Sequence, residues 1–301
     1  MKPLLIKITS VLLGISFCIT AKAQEQEKHE ISVYAASGLS TLRYDLNGGS
    51  RYNRIGNRIG GGVGLGYGFF FNDYWGITAG GEISSYYAKA RMKPFSGSVL
   101  VPNESYTYNY EVNNYYENQE LFIVSIPVML QYQAPLLLED HFCYAAIGAK
   151  VGFPWRLKYK TSGAVYTTTG VSHTDNSIID SPRSDGFGVF SERLNRRNID
   201  YKTSYMLSAE VGMKWSLSQS FFLYTGIYCD YGLNDIIYEN QNRSFVSYNH
   251  NLPTTINHHG MLESSYGRIP EGEIINFTNK VAPLALGLKI KFTFMAPGKC
   301  Y

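Results

Sequence analysis

Eight stretches of the chain alternate apolar residues with small or polar ones at a period of two. That period marks strands whose two faces meet different surroundings. The stretches cover about residues 31–42, 59–71, 75–88, 120–132, 142–153, 204–217, 221–231 and 282–294. In the second, Ile59, Gly61, Val63, Leu65, Tyr67 and Phe69 face one way, and glycines at positions 60, 62, 64, 66 and 68 face the other. In the last, Leu284, Leu286, Leu288, Ile290, Phe292 and Phe294 face away from Lys289 and Lys291. The seventh stretch alternates least cleanly. Strands of this length suit a tilted crossing of a bilayer, whereas soluble sheets typically use shorter ones.

The links between the stretches alternate short and long. Asn72-Asp73-Tyr74, a few residues around Pro135–Asp140, and Ser218-Gln219-Ser220 are the short ones. The long ones are Asp45–Arg58, Arg91–Gln119, Pro154–Thr203 and Asn234–Lys280. Unstructured loops that long are foreign to a compact soluble domain. Short turns on one rim and long loops on the other are the pattern of a transmembrane barrel. The expected fold is therefore all-β: an up-and-down antiparallel barrel of about eight strands, with short periplasmic turns and long extracellular loops. Aromatic residues agree with two interfacial belts. Phe69, Phe71, Trp75, Tyr132, Trp215, Phe221, Phe292 and Phe294 fall near the short-turn rim, and Tyr87, Phe153, Trp155, Tyr205 and Tyr231 near the long-loop rim. A soluble barrel or sandwich would need a dry core on both faces, and the face of glycines and charges makes a poor one.

The N-terminus sets the compartment. Lys2 and Lys7 precede an apolar run from about Ile8 to Thr20, followed by Ala21-Lys22-Ala23. This reads as a secretory signal peptide over residues 1–23, with Gln24 opening a barrel that fills residues 24–301. Phe17 before Cys18 argues against a lipoprotein signal. Cleavage removes three of the 27 Lys and Arg and none of the 24 acids, so the mature chain carries 24 of each. With no basic stripe or helix, nucleic acid is not an expected partner. Cys143, Cys229 and Cys300 remain, with no metal-ligand or disulfide-framework spacing. Aromatics make up 15% of the chain, which barrel girdles explain and most soluble domains do not.

The inner face of the barrel carries Glu82, Lys150, Glu210, Lys214, Asp230, Lys289 and Lys291 among many glycines. Asp230 comes from the poorly alternating stretch. An eight-strand barrel is just wide enough inside for side chains to fill it. These charges are expected to pair into a plug; the alternative is a charged pore.

The long loop after residue 91 contains Tyr106, Tyr108, Tyr110, Tyr115 and Tyr116, interleaved with Asn109, Asn113 and Asn114. Tyr and Asn give contact area with adaptable hydrogen bonding. These tyrosines are expected to form a recognition loop or, equally, a cap over the barrel mouth, and residues 105–112 alternate as if to extend strands beyond the membrane. A lipid-modifying enzyme would need a Ser activated by His, yet none of His29, His141, His173, His250, His258 and His259 heads an H-x-S on a strand. No catalytic residue, metal site or cofactor is expected; His250, His258 and His259 read as polar loop residues before metal ligands.

The mature chain resembles the OmpA-like, OmpX-like and PorT-like outer-membrane barrels, in the style of the Bacteroides group. The resemblance rests on the Ala-Lys-Ala-Gln cleavage region, the opening Ile31-Ser32-Val33-Tyr34-Ala35-Ala36-Ser37-Gly38 strand, the Gly-rich second stretch and the closing Lys289-Ile290-Lys291-Phe292-Thr293-Phe294. It implies an integral outer-membrane protein, in contact with outer-membrane lipid, whose last strand is read by the barrel-assembly machinery. Met295–Tyr301 departs from the pattern by continuing past the last aromatic. The leading expectation is a non-enzymatic barrel acting through its loops on a surface ligand or in envelope structure. A narrow channel or an accessory barrel with a secretion partner comes second, and a lipid-modifying enzyme third.

Overall fold

A computed structural model of the protein describes residues 28–45, 52–57, 59–101, 105–136, 141–191, 196–238, 244–248, 257–267 and 274–295. The expected signal peptide, His250 and Cys300 lie outside these residues.

Eight long strands form the barrel wall: β1 Lys28–Arg43, β2 Ile59–Phe70, β3 Trp75–Met92, β4 Tyr116–Pro135, β5 His141–Ser162, β6 Ser204–Ser218, β7 Phe221–Gly232 and β8 Ala282–Met295. Each pairs antiparallel with its sequence neighbours. β8 returns to β1 with an unbroken register from Glu30↔Met295 to Arg43↔Ala282. Closure leaves the wall no open edge within the membrane, a condition any strand crossing lipid must meet.

The alternation places side chains as the sequence predicts. Ile31, Val33, Val63, Leu65, Val128, Ile147, Val211 and Leu288 project outward as an apolar skin. From Trp75 to Tyr87, at ~3.3 Å per residue and a tilt of about 40°, β3 rises roughly 30 Å, the thickness of a bilayer core. At the short-turn rim the aromatic belt packs in pairs, Trp75 on Tyr132 at 4.8 Å and Phe221 on Phe294 at 4.2 Å. The β2–β3 turn is tied by Asn72, whose Oδ1 accepts from the amides of Tyr74 and Trp75 at 2.9 and 2.7 Å.

Three strands run on beyond the expected ends. β3, β4 and β5 continue to Met92, Tyr116 and Ser162, so residues 91–92, 116–119 and 154–162, expected in links, are strand. A bulge at Trp155 lets β5 keep pairing after the phase shift, with Phe122 opposite Arg156 and Ile123 opposite Pro154. Over their described residues, the links after β3 and β5 are also folded, contrary to their reading as unstructured. Strands Phe95–Leu100, Tyr106–Asn113, Val165–Ser172, Ile178–Ile179 and Gly188–Ser191 make a separate five-stranded sheet. Residues 105–112 do form a strand, but one that pairs with Val165–Ser172 rather than extending the wall.

Candidate functional site

Two stacked interiors compose the site, a charged lumen below and an apolar cap above. The lumen begins near the short-turn rim. Lys214 donates to Glu30 Oε1 at 2.7 Å and to Gln133 Oε1 at 3.2 Å. Its ammonium lies 4.3 Å from the ring of Phe222 and 5.3 Å from that of Phe70. The Tyr224 hydroxyl donates to the second Glu30 oxygen at 2.8 Å. One layer up, Lys289 donates to Glu210 Oε1 and sits 4.0 Å from the Tyr34 ring, while Lys291 lies 4.3 Å from the Tyr224 ring. Lys150 forms the next layer, meeting Glu82 at 2.9 and 3.1 Å and Asp230 at 2.9 Å. The Ser208 hydroxyl donates to the other Asp230 oxygen, and Tyr34 donates to Glu82 at 3.2 Å.

The structure therefore brings all seven sequence-derived lumen residues together. It adds Glu30, which stands one residue before the first apolar alternation. Among the described residues the buried charges of the lumen below the apolar layer become four acids, Glu30, Glu82, Glu210 and Asp230, against four lysines, 150, 214, 289 and 291. Balance matters because an unmatched buried charge costs several kcal/mol. Aromatic faces shield the lysines further, a cation–π arrangement strengthened by desolvation.

The glycines of β2 have a job in this filling. A Cβ on Gly64 would stand 2.5 Å from Tyr34 Oη. Only a bare backbone there lets the Tyr34 ring cross the lumen to Glu82. A cavity of about 30 Å³ remains beside Gly66, Gly68, Glu210 and Lys291, room for one or two waters.

Above Lys150 the interior changes character. Tyr86, Ala88, Leu121, Ile123, Leu157, Tyr159, Ile236 and Leu262 fill the mouth with an apolar layer. Higher still, Met92, Phe95, Tyr108, Tyr110, Tyr115, Tyr166, Phe245 and Phe277 form a second apolar cluster between the five-stranded sheet and the segments around residues 245, 261 and 277. Phe95, Phe245 and Phe277 meet edge to face at 5.2 to 5.5 Å, a favoured aromatic geometry.

This placement corrects the recognition-loop reading of three tyrosines. Tyr108, Tyr110 and Tyr115 are buried in the cap core and have no face to offer a ligand. Tyr106 shares their side of the strand and packs on Phe187 at 5.4 Å. Only Tyr116 points outward, under Arg91 and Lys89. Burial pushes the Tyr110 phenol up to about 12 and Tyr115 well above its ordinary value. The outer face of the sheet instead presents Ser96, Thr107, Asn109, Thr167 and Val189, alternating with the buried positions.

One carboxyl lies inside the cap. Glu117 is fully buried and accepts from Tyr115 at 2.6 Å, Gln119 at 2.8 Å and the Met261 amide at 2.9 Å. Burial raises its pKa, while those three donors and His258 pull it back. His258 is itself buried, stacked 5.8 Å from Tyr166 and 5.9 Å from Phe245.

The remaining described histidines are spread out. His29 meets the Tyr67 hydroxyl, His141 packs edge-on against Trp215, His173 meets Thr107, and His259 faces Glu263 at 3.7 Å.

Over residues 22–238 the sequence matches the family described as outer membrane protein beta-barrel domain. No curated protein matches it. Among solved structures, it is similar to Neisserial surface protein A, at 10% identity over 89% of this chain and 98% of that one, with a TM-score of 0.31. It is similar to the N-terminal β-barrel domain of Pseudomonas aeruginosa OprF, at 11% identity over 89% and 100%, TM-score 0.27. It is also similar to the attachment invasion locus protein Ail of Yersinia pestis, solved with the heparin analogue sucrose octasulfate, at 14% identity over 88% and 99%, TM-score 0.28. Similarity at that level says nothing of what this chain binds. The family match covers well over half of the 301 residues, and the closed eight-strand wall agrees with it, so the chain belongs to the outer membrane protein β-barrel domain family and is an integral outer-membrane barrel.

Proposed function

We propose that this protein is a closed, non-enzymatic outer-membrane barrel that serves surface interaction through a folded outer tier. The observation that carries the reading is the double closure of the mouth. The Lys150–Glu82–Asp230 cluster spans the lumen, and the apolar layer of Tyr86, Leu121, Ile123 and Leu157 lies directly above it. An ion entering from outside would have to cross a dry layer and then break a buried ion pair, both costly. The second apolar cluster holds the five-stranded sheet in one shape, so its Ser, Thr and Asn face is presented without prior ordering, which favours binding.

In this reading the mature chain starts at Gln24, its last strand guides insertion by the barrel-assembly machinery, and its working partners are a surface ligand or a secretion complex rather than a diffusing solute. The dispersed histidine environments favour a non-catalytic role, since each described ring is engaged with an aromatic, a hydroxyl or an acid.

The test is planar-bilayer conductance of the refolded mature protein, after heat-modifiable gel migration shows a folded barrel. The expected record is silent for wild type. Steady wild-type conductance that changes in Glu210→Gln would overturn the closed reading and establish a pore.

A further inference from the structure

The outward face of β3, β4 and β5 changes sharply where these strands leave the apolar band. Below lie Ile83, Val124 and Val151, and the boundary carries Tyr87, Phe122, Phe153 and the exposed Trp155. Arg156 on β5 stands level with Phe122 and Lys158 level with Tyr87, and Lys160 on β5 with Lys89 and Arg91 on β3 come immediately above. Glu120 on β4, the one acid on that face of the three strands, stands directly opposite Lys158, so four of the five cations face no acid across the strands. Register sets Lys89, Asn118 and Lys160 side by side, with Arg91 opposite Tyr116 one step higher. In register the cluster runs from Arg91, level with Tyr116, to Arg156, level with Phe122, so it spans roughly 10 Å across the strands and about 20 Å along them, room enough for a phosphorylated sugar headgroup.

Two features separate this cluster from an ordinary solvated surface. It lies on a raised part of the wall, because β3, β4 and β5 continue above the band, flanked by strand Tyr52–Asn57 along β3 and strand Arg196–Asn198 along β5, whereas β1, β2, β6, β7 and β8 stop there. Arg43, at the outer end of β1, is instead turned onto the Tyr231 ring at 4.4 Å and donates to the Gly232 carbonyl. Its height is also specific. The cations sit directly on the aromatic boundary, below the five-stranded sheet, where the headgroups of the outer leaflet lie. Tyr116 holds Lys89 and Arg91 from beneath at 5.7 and 5.2 Å, which fixes their heads at the surface.

We infer that the Lys89, Arg91, Arg156, Lys158 and Lys160 face is a binding site for the phosphate-bearing headgroup of an outer-leaflet glycolipid, with the acyl chains lying along Ile83, Val124 and Val151. Arginine offers a planar fork to phosphate oxygens and lysine a mobile point charge, so the set suits one or two phosphates rather than a neutral sugar. Placement at the membrane edge, rather than at the tip of the outer tier, selects a lipid over a soluble polyanion. A bound glycolipid would brace the extended strands against the leaflet.

Native mass spectrometry of the folded full-length mature protein in a non-ionic detergent tests this. The probes are diphosphoryl lipid A, dephosphorylated lipid A, phosphatidylcholine and inorganic phosphate. Wild type is expected to retain diphosphoryl lipid A at concentrations at least about tenfold lower than the Arg91→Gln/Lys160→Gln variant requires. It should show no such preference for the other two lipids. Both side chains are exposed, so the variant is expected to fold; Arg156→Gln with Lys89→Gln provides a second, independent pair. Equal retention by wild type and both variants overturns the site. Equal retention of dephosphorylated lipid A shows that the acyl chains bind without the cations and also overturns it. Displacement of the lipid by millimolar inorganic phosphate assigns the cluster to soluble anions and overturns the lipid.

Discussion

The lower and upper halves of this molecule are built inside out from one another. In the membrane, Leu288, Ile147 and Val63 face outward and eight charged residues fill the interior. In the outer tier, Phe95, Tyr166, Phe245 and Phe277 fill the interior, and Ser96, Thr107 and Thr167 face outward. The reversal occurs within single strands. On β4 the inward side passes from Gln131 and Ser125 to Ile123 and Leu121, while the outward side passes from Val128 and Val124 to Glu120 and Asn118. The backbone period is unchanged; what changes is the solvent. Lipid removes the reward for burying apolar side chains, so the embedded interior is held by ion pairs and hydrogen bonds. Water restores that reward a few residues higher, and the interior becomes a conventional apolar core.

Substitutions that ignore this boundary should behave oppositely on its two sides. The largest effect is expected from Lys150→Met, which leaves Glu82 and Asp230 facing each other unneutralised and costs about 3–5 kcal/mol. The urea midpoint of the folded band on a gel should fall. Adding Glu82→Leu and Asp230→Leu should recover most of the loss, because an apolar trio replaces an ion cluster at little net cost. Failure to recover would mean that the lumen needs its charges for more than neutrality.

Next in size is Phe245→Ala, at about 3 kcal/mol or more for an aromatic lost from a packed core. Here the loss should stay in the outer tier. Limited proteolysis should cut the tier faster while heat-modifiable migration of the barrel is retained. Loss of both together would show that the two halves fold as one unit.

Outward substitutions sharpen the contrast. Leu288→Lys, at a position facing lipid in mid-strand, should cost roughly 2–4 kcal/mol. Thr167→Lys on the outer face of the sheet should stay within about 0.5 kcal/mol. Equal effects in refolding titrations would remove the boundary between the two regimes.

The smallest expected effect is a pH dependence of the tier. Burial holds the Glu117 carboxyl above its ordinary value, so the folded tier binds that proton more tightly than the unfolded one. Its contribution is fully present below pH ~4.5 and is lost as pH rises through the raised value. Protease resistance of the tier should therefore decline on going from pH 4 toward neutrality, and Glu117→Gln should flatten the trend.

The barrel was legible in the sequence because lipid and lumen alternate every residue, which is the period a strand reads. Charged positions such as Lys150, Glu210 and Lys289 were legible for the same reason. Even Asp230 falls on the inner face despite its weakly alternating strand. Glu30 was not legible, because it precedes Ile31, where the apolar alternation begins, and a polar residue beside His29 reads as the approach to the strand rather than part of it. The outer tier was half legible. Residues 106, 108, 110 and 112 alternate visibly, but Tyr is amphipathic and alternates with Asn and Thr, so the pattern does not say which face is dry. The answer comes from Phe245, Met261 and Phe277, more than 130 residues further along the chain than Tyr110, and no local period reports such a partner.

Amide hydrogen exchange of the mature protein in lipid tests the central claim, a folded outer tier seated on a closed barrel, most directly. Strands Tyr106–Asn113 and Val165–Ser172 are paired along their full length, so their amides should exchange at least about a hundredfold more slowly than free chain, approaching the protection of β3 and β4. Exchange at the free-chain rate in these two strands, with the barrel strands still protected, would contradict the account and return the long links to open loops.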